Sequence, residues 1–521
     1  MTVPLQTTPL VETVPHWDDP TRAPDSRPPC GRVSDPPLPD SLEDSGPKEA
    51  CGVFGIYAPG EEVARLTFYG LYALQHRGQE SAGIATSDGS TLYVKTGMGL
   101  VAQVFDEEDL GQLPGHIAIG HTRYSTTGSS VVRNAQPIHV RGPGGELALG
   151  HNGNLVNAEQ IRREMEAEGH TFETSTDSEI IAKLLVSSPG RTLEDRLVEV
   201  MHRISGAYSL VIITPTSLIA ARDPMGNRPL CLGRVGLNWA VASETCALDH
   251  LGAFYEREVK PGEIVIVDRD GMRSIQAVRR DDAFCIFEYI YFARPDSRIR
   301  ERRIYPIREA MGRELAREHP VAADVVIGVP DSATAAAIGY ARASGIPYAE
   351  GLMKNRYVGR TFIAPDQRLR ERGAALKYNP LREVLEGKRV VVVDDSIVRG
   401  TTTLPVVKLL RDAGAREVHM RICAPPIRHP CYFGVDMAGT QELIAAQKSV
   451  PEIREHIDAD SLGYLSVEGL IRATEMPRDS FCLACFTGQY PIPVQLSLDK
   501  FGLERPDVIE LESLQLVGAD S

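Results

Sequence analysis

The stretch that decides the fold of the second half of the chain is Arg389-Val390-Val391-Val392-Val393-Asp394-Asp395-Ser396-Ile397-Val398-Arg399-Gly400-Thr401-Thr402-Thr403. Its four consecutive valines predict a parallel-sheet strand buried on both faces. The strand ends in two carboxylates and a loop of small residues that opens a helix predicted over 404–410. Such a loop offers N–H groups and hydroxyls to a phosphate at the positive helix end, and the acids can accept hydrogen bonds from ribose hydroxyls. The pattern favours a ribose 5-phosphate site over an ordinary capped helix.

Two further segments belong to the same region. An apolar run over 324–330 predicts a second buried strand, and Asp331-Ser332-Ala333-Thr334 follows it before an alanine-rich helical stretch. A basic, glycine-containing segment begins at Lys354 and includes Arg356. That segment is either a plain solvated loop or a lid over an anionic substrate.

The run from Val390 to Thr403 resembles the 5-phosphoribosyl 1-pyrophosphate (PRPP) signature of type I phosphoribosyltransferases, which fold as a doubly wound parallel sheet. The resemblance implies that Asp394 and Asp395 contact the ribose and its bound Mg²⁺. It implies that Ser332 lines the loop that holds the pyrophosphate and completes the magnesium site. It also implies that Lys354 and Arg356 meet the charge of the pyrophosphate. The residues that would hold the 5-phosphate are Ser396, Arg399, Gly400, Thr401 and Thr402.

The first half of the chain is organised around Cys51, which heads the apolar run Cys51-Gly52-Val53-Phe54-Gly55-Ile56. Helical spacing is predicted over 63–74, and buried strands are predicted over 117–120 and 147–150. Polar motifs follow these elements, and a helix N-terminus is predicted near Asp177. The polar motifs are Gln75-His76-Arg77-Gly78, His121-Thr122-Arg123-Tyr124 and His151-Asn152-Gly153-Asn154.

Polar clusters at successive element ends predict one site. Arg123 can hold a carboxylate, Asp177 can hold an ammonium group, and Asn152 with the Gly153 N–H can line an oxyanion hole. Taken singly, each of these residues favours a structural interpretation: Cys51 as a buried structural thiol and Arg123 as a surface ion pair. Asn152-Gly153 alone favours a hairpin turn, and Asp177 alone a helix cap. Together they predict a pocket for a free amino acid beside a thiol nucleophile.

These four motifs resemble the N-terminal-nucleophile glutamine amidotransferase domain, an αββα sandwich whose catalytic cysteine is the mature N-terminus. The resemblance implies that Cys51 is the nucleophile and that its own α-amino group is the base. It implies that Arg123 and Asp177 bind the glutamine α-carboxylate and α-amino group. Asn152 and Gly153 would stabilise the oxyanion.

Residues 1–50 differ in composition from the rest of the chain. They contain 11 prolines, which disfavours both helix and sheet, and they lack the apolar core of a signal peptide. The segment is either a disordered tail without a role or a leader that is removed to expose Cys51. With Ala50 attached, the Cys51 nitrogen is an amide and cannot act as a base.

The nine cysteines include one CxxC pair, Cys482 and Cys485. By itself the pair indicates zinc or redox chemistry. The resembled two-domain family has a branch with a 4Fe–4S cluster, and in that branch the ligands match the positions of Cys285, Cys431, Cys482 and Cys485. Four thiolates equally suit zinc. The contexts of Cys231, Cys246 and Cys423 are typical of core thiols.

Composition limits the class of protein. The net charge of -14 over 521 residues argues against nucleic-acid binding, and no apolar run approaches the roughly 18 residues of a membrane span. Sparse cysteines favour a reducing cytoplasm. The expected organisation is a leader over 1–50, a glutaminase domain over 51–280, a phosphoribosyltransferase domain over 281–475 and a CxxC segment over 476–521.

The order of the two domains and the cysteine layout resemble the iron–sulfur-containing branch of the glutamine PRPP amidotransferases. These are glycosyltransferases with glutaminase activity that begin purine synthesis. The resemblance implies conversion of glutamine, PRPP and water to 5-phosphoribosylamine, glutamate and pyrophosphate. It also implies a homotetramer that purine nucleotides inhibit. Two alternatives are another glutamine-dependent enzyme that shares only the first domain, and a PRPP-sensing regulator without activity.

Overall fold

The structure is a computed structural model, and it describes residues 51–124, 128–188, 190, 192–355, 377–435, 439–494 and 503. The predicted leader over 1–50 and the predicted lid residue Arg356 lie outside the described residues. The described chain forms a region of two antiparallel sheets over residues 52–276, here called the sandwich, and a region around a parallel sheet over residues 304–474, here called the parallel-sheet unit.

Thirteen strands build the sandwich. They are β1 (Gly52–Tyr57), β2 (Ser81–Ser87), β3 (Leu92–Met98), β4 (Ile117–Arg123), β5 (Ile138–Gly142), β6 (Gly145–Leu155), β7 (Gly206–Ile213), β8 (Leu218–Arg222), β9 (Cys231–Val235), β10 (Asn238–Ala242), β11 (Phe254–Glu258), β12 (Glu263–Asp268) and β13 (Gly271–Gln276). Its helices are α1 (Val63–Ala73), α2 (Val101–Val104), α3 (Glu107–Gly111), α4 (Ala158–Ala167), α5 (Asp177–Ser187), α6 (Leu193–Arg203) and α7 (Thr245–His250).

The sandwich has four layers. One sheet has the strand order β11-β9-β10-β1-β4-β2-β3 and the other β13-β12-β8-β7-β6-β5. Between the sheets, Val53 and Ile119 of the first pack with Val211 and Val265 of the second. Because side chains alternate along a strand, Phe54 next to Val53 turns to the other face and packs with α1 and α7. Helices α4, α5 and α6 cover the second sheet, so the predicted αββα sandwich is confirmed.

Among the described residues, the parallel-sheet unit and its flanking segments contain ten strands. These are β14 (Phe284–Cys285), β15 (Arg298–Ile299), β16 (Arg302–Arg303), β17 (Val325–Gly328), β18 (Leu352–Lys354), β19 (Tyr378–Pro380), β20 (Arg389–Asp394), β21 (Glu417–Ile422), β22 (Ser461–Tyr464) and β23 (Phe481–Cys482). The helices are α8 (Ile304–Glu318), α9 (Thr334–Ser344), α10 (Arg382–Leu385), α11 (Thr403–Asp412), α12 (Ile444–Gln447), α13 (Val450–His456), α14 (Val467–Thr474) and α15 (Ala484–Thr487), and a π-helical turn spans Glu288–Phe292.

Strands β17-β20-β21-β22 form an all-parallel sheet in that order. Val391 and Val393 face a core that includes α8, α9 and α14. Val390 and Val392 face the opposite core, beside α11 and α13. The valine run is therefore buried on both faces, as predicted, and the sheet is doubly wound. Across the described ranges, no helix is both long and apolar enough to cross a membrane.

Two polar motifs lie inside strands rather than after them. Strand β4 continues through Arg123, and β6 continues from Gly145 to Leu155. Within β6, Asn152 and Gly153 pair with Ser209 and Tyr208 of β7. The hairpin-turn interpretation of Asn152-Gly153 is therefore wrong, because the backbone ladder with β7 extends beyond the apolar part of the strand.

Candidate active sites

Cys51 lies directly before β1 and is buried. Its thiol donates a hydrogen bond to the Tyr124 carbonyl oxygen at 3.2 Å. Burial raises the pKa of the Cys51 thiol, so the group is neutral near pH 7 and requires a base to become a nucleophile. The thiol borders a small pocket lined by Cys51, Arg123, Tyr124, Gln136, His151, Gly153, Thr176, Asp177 and Ser178.

Arg123 and Asp177 bring opposite charges into this pocket. Arg123 is 2% exposed, so it is not a surface ion pair, and its Nη1 donates to the Ser129 carbonyl at 3.1 Å. Asp177 begins α5 and accepts a hydrogen bond from the Leu155 N–H at 3.0 Å. One fixed cation and one fixed anion in a small pocket suit a zwitterionic amino acid.

The Asp177 carboxylate stays charged despite its burial. Burial favours the neutral acid, but the nearby His151 and the backbone hydrogen bonds outweigh it, and the pKa of Asp177 lies below its usual value. His151 Nδ1 lies 3.6 Å from Asp177 Oδ1. The N-cap position of α5 belongs to Thr176, so the helix-cap interpretation of Asp177 is wrong.

Asn152 and Gly153 are consecutive residues of β6, and Gly153 lines the pocket. A Cβ on Gly153 would lie 2.0 Å from the Ala207 carbonyl oxygen, and φ is +151°, so only glycine fits. Asn152 is fully buried, and its Oδ1 accepts from Arg228 Nε at 3.4 Å. Among the described residues, Asn152 Nδ2 has no hydrogen-bond partner. A buried donor without a partner costs about 1–3 kcal/mol, which marks a place where a ligand acceptor is favourable.

Sequence reasoning gave no role to several pocket residues, among them Gln136, Ser178 and His151. Gln136 Nε2 donates to Ser178 Oγ at 2.9 Å, and its Oε1 accepts from the His151 N–H at 2.8 Å. The side chain of Gln136 thus ties α5 to β6. No local pattern marks Gln136, whereas His151 could have been found from its place in the His151-Asn152-Gly153 motif.

A second site lies at the carboxyl end of β20. Ser332 Oγ and Ser396 Oγ each donate to the Asp395 carboxylate at 2.5 Å, and the Asp395 N–H donates to Asp394 Oδ1 at 2.9 Å. Burial raises the pKa of Asp395. The structure thus brings Ser332, Asp394 and Asp395 together, and their hard oxygen donors fit Mg²⁺.

The predicted phosphate loop joins β20 to α11. Gly400 has a φ of +77°, which glycine adopts without strain. Thr401 and Thr402 are exposed just before the first turn of α11. Arg399 Nε donates to Glu442 Oε2 at 2.8 Å, an ion pair that sequence reasoning did not anticipate. The loop therefore presents small polar residues at a helix N-terminus, a position that favours anions.

Lys354 ends β18, at the described base of the predicted lid. Its Nζ donates to Asp331 Oδ2 at 3.1 Å. Asp331 follows β17, in the same connection that carries Ser332. Lys354 therefore lies beside the loop predicted to hold pyrophosphate.

The four cysteines predicted as ligands are brought together. Strands β14 and β23 pair Cys285 with Cys482, and the Cys485 carbonyl accepts from the N–H groups of Arg428 and His429, next to Cys431. Burial raises the pKa of all four thiols, and each lies within electrostatic range of others in the set. Cys285 and Cys485 are buried and Cys431 and Cys482 are half-buried, and four sulfur donors suit an iron–sulfur cluster or zinc. Cys231, Cys246 and Cys423 are buried in the core, as predicted.

A group that sequence reasoning missed is formed by His76, Glu244 and Cys246, whose ligand atoms lie within 4.8 Å of one another. The Glu244 carboxylate already accepts hydrogen bonds from His76 Nε2 at 2.8 Å and Ser297 Oγ at 2.6 Å, and it also pairs with Arg77. The positive charge of Arg77 balances the Glu244 carboxylate, as a metal ion would. The three residues therefore form part of an ion-pair cluster that stabilises the fold.

Comparisons with known proteins cover both regions. A glutamine amidotransferase domain matches residues 121–250, and a phosphoribosyl transferase domain matches residues 306–435. The amidophosphoribosyltransferase of Synechococcus elongatus is 52% identical over 467 residues, covering 88% of this chain and 95% of the relative. That of Bacillus subtilis is 50% identical over 458 residues, covering 87% and 96%.

Two solved structures are also similar to this chain over most of its length. Glutamine PRPP amidotransferase from B. subtilis complexed with ADP and GMP superposes with a TM-score of 0.81 at 50% identity, covering 85% of this chain and 98% of that chain. A structure described as the allosteric regulatory enzyme of purine biosynthesis gives a TM-score of 0.84 at 49% identity, covering 88% and 100%. The similarity spans both the sandwich and the parallel-sheet unit, so the alternative of a relative that shares only the first domain is wrong. The chain belongs to the amidophosphoribosyltransferase family.

Proposed function

We propose that this protein converts glutamine, PRPP and water to 5-phosphoribosylamine, glutamate and pyrophosphate, the first committed step of purine synthesis. The observation that carries the proposal is the Cys51 thiol in a pocket with one guanidinium and one carboxylate. The same chain also carries the Asp394-Asp395 loop that suits a ribose phosphate.

In the first half-reaction, Arg123 pairs with the α-carboxylate of glutamine and Asp177 holds its α-ammonium group. These contacts place the side-chain amide of glutamine beside the Cys51 sulfur. The lowered pKa of Asp177 keeps its carboxylate charged at neutral pH. The pocket thus selects a free amino acid by its two charges.

The Cys51 sulfur attacks the amide carbon after its α-amino group takes the thiol proton. That amine exists only when the bond between Ala50 and Cys51 has been cleaved, so the leader is a propeptide. Asn152 Nδ2 and the Gly153 N–H donate to the oxyanion, an effect of about 3–4 kcal/mol per donor in other enzymes. The α-ammonium group of Cys51 returns its proton to the amide nitrogen, the C–N bond breaks and ammonia leaves. Water then hydrolyses the thioester, which releases glutamate and restores the thiol.

In the second half-reaction, ammonia attacks C1 of PRPP and pyrophosphate leaves. Asp394 and Asp395 bind the ribose hydroxyls, while Ser396, Gly400, Thr401, Thr402 and Arg399 surround the 5-phosphate. Lys354, which lies beside Asp331, meets the charge of the pyrophosphate, and the family resemblance gives the same role to Arg356. Ser332, Asp394 and Asp395 would hold Mg²⁺, which when bound neutralises charge on the pyrophosphate.

Ammonia must reach PRPP without protonation in bulk water, which requires a closed passage between the two sites. Cys285, Cys431, Cys482 and Cys485 would hold a 4Fe–4S cluster with a structural role. The cluster position joins the segment after the sandwich, through β14, to the C-terminal segment, through β23. We further infer a cytoplasmic homotetramer that purine nucleotides inhibit; the B. subtilis relative complexed with ADP and GMP supports the nucleotide part of this inference.

The test measures glutamate and pyrophosphate release with glutamine or ammonia as nitrogen donor. Wild type should use both donors, and glutamate release should depend on PRPP. Cys51→Ala should lose the glutamine reaction and keep the ammonia reaction, whereas Asp395→Asn should lose both. Cys231→Ala is the matched control, a buried sandwich thiol outside the pocket that should keep both. Equal loss of both reactions in Cys51→Ala would contradict the two-site scheme, and binding of PRPP without turnover would favour a regulator.

A further inference from the structure

Glu288 is a buried carboxylate from outside the sandwich that pairs with two buried arginines, Arg77 and Arg228, behind the glutamine pocket. It begins the π-helical turn that follows β14, and it is fully buried. Arg77 donates to it twice, from Nη1 to Oε2 at 3.0 Å and from Nη2 to Oε1 at 2.7 Å. The two residues are 211 positions apart in the chain. This is the paired geometry that makes an arginine–carboxylate contact both strong and directional.

Arg77 connects Glu288 to the nucleophile. Its Nε donates to the Cys51 carbonyl oxygen at 3.2 Å, and its guanidinium also pairs with Glu244. The carbonyl belongs to the residue that carries the thiol. The orientation of Arg77 therefore sets the position of the Cys51 main chain.

Arg228 connects Glu288 to the oxyanion donor. Its Nη1 lies 3.8 Å from Glu288 Oε1, and its Nε donates to Asn152 Oδ1 at 3.4 Å. Because a guanidinium can only donate, it fixes the Asn152 amide with its oxygen toward Arg228. The NH₂ group of Asn152, which has no partner among the described residues, is thereby left for the ligand.

We propose that Glu288 is a positioning residue that holds Cys51 and Asn152 in place for the glutamine half-reaction; this rests on the proposed function. Arg77 and Arg228 are both fully buried. Without the Glu288 carboxylate, buried Arg228 would lose its ion-pair partner and Arg77 would keep only Glu244, in a low-dielectric interior where an unpaired charge is costly. Both arginine side chains would shift. Arg77 would displace the Cys51 carbonyl that it holds, and Arg228 would displace the Asn152 amide.

The turn that carries Glu288 also links the glutamine site to the parallel-sheet unit. The carbonyls of Tyr289 and Ala293, in and just after the same turn, accept from Arg308 of α8 at 2.9 and 2.8 Å. The turn is thus anchored in the parallel-sheet unit. The glutamine site is complete only when that unit is folded against the sandwich.

The test compares Glu288→Gln and Glu288→Asp with wild type in the full-length protein. Glu288→Gln removes the charge. Glu288→Asp keeps the charge but is one methylene shorter, so it cannot reach both arginines. Glu263→Asp is the matched control, a buried glutamate that receives two 2.7 Å bonds from Arg257 and does not line the pocket.

Glu288→Asp should lower kcat with glutamine about 10–100-fold while leaving KM for glutamine and the ammonia reaction within about twofold. Inactivation of Cys51 by a diazoketone analogue of glutamine should slow by the same factor. Glu288→Gln should show a larger loss with the same selectivity, and Glu263→Asp should show none.

Unchanged glutamine activity in Glu288→Asp, parallel loss of both reactions, or failure of that variant to fold would overturn the role of Glu288. These outcomes leave the proposed function intact. The proposed function itself fails only if wild type releases no glutamate in response to PRPP.

Discussion

Gly434 lies directly against Gly153: a Cβ on Gly434 would come within 2.8 Å of the Cα and the carbonyl carbon of Gly153. Gly434 follows Cys431 in the chain, whereas Gly153 belongs to β6 of the sandwich. Two hydrogen bonds flank this contact, from Asn154 Nδ2 to the Tyr432 carbonyl at 3.1 Å and from Arg228 Nη2 to the Gly434 carbonyl at 3.2 Å. The backbone proposed to bind the oxyanion is therefore supported from outside the sandwich.

Gly434→Ala should damage the glutamine reaction selectively. The added methyl group would push on the Gly153 backbone, and the φ of +93° is strained for alanine, at about 1–3 kcal/mol. We expect glutamine-dependent activity to fall about 100-fold with ammonia-dependent activity largely kept, measured by phosphoribosylamine formation. Gly439→Ala is the control, because its Cβ would meet no atom within 4 Å. Equal effects of the two variants would show that the contact with Gly153 is not important.

The active protein should begin at Cys51. Only then does the residue possess the amine that serves as its base. Intact mass measured on the fraction that hydrolyses glutamine should lack residues 1–50, and a variant that blocks the Ala50–Cys51 cleavage should retain only the ammonia reaction. Full glutaminase activity on a chain that keeps the leader would contradict the proposed base.

The four clustered cysteines should hold iron. Purified protein should be brown and contain iron and acid-labile sulfide in about a one-to-one ratio. Cys431→Ser should lose the iron and lower the Tm. Cys231→Ser should keep the iron, because Cys231 lies in the core of the sandwich, away from the four clustered cysteines, and its sulfur donates to the Ala242 carbonyl at 3.3 Å. A colourless anaerobic preparation with stoichiometric zinc would refute the cluster.

His121 should make the fold sensitive to acid. It is fully buried, and burial chiefly lowers the pKa of His121 to about 3. In the unfolded chain a histidine has a pKa of about 6.5. Below that pH the unfolded state therefore binds a proton on His121 that the folded state does not bind. The free energy of unfolding that depends on neutral His121 is therefore fully present above about pH 6.5. As the pH falls toward 3 it decreases by at most about 1.4 kcal/mol per pH unit.

His121→Gln should flatten this dependence. The measurement is the shift of the denaturant midpoint between pH 7.5 and pH 5, which should be smaller in the variant than in wild type. His250→Gln, at an exposed position, should behave like wild type. An unchanged shift in His121→Gln would place the acid sensitivity elsewhere.

Local patterns predicted much of the secondary structure. The valine run of β20 and the start of α5 at Asp177 follow from burial periodicity and helix-end chemistry, which depend on neighbours in the chain. The motifs around Cys51, Arg123 and Asp394 likewise indicated both sites. Patterns misplaced the ends of β4 and β6, because the ladder partner of a strand is set by a distant segment and not by the strand itself.

The sequence by itself determined the two-domain class, the thiol, the acidic loop and the Cys482–Cys485 pair, because each is carried by residue types at short spacing. Only the tertiary structure decided that Gln136 and His151 complete the Cys51 pocket and that Glu288 reaches Arg77 across 211 residues. Such contacts arise where separate layers pack, and burial then selects partners by charge and shape rather than by position in the chain. The strand, loop and helix around Asp394 depend on neighbouring residues and could be predicted from the sequence. The residues that hold Cys51 in place come from distant segments and could not be predicted.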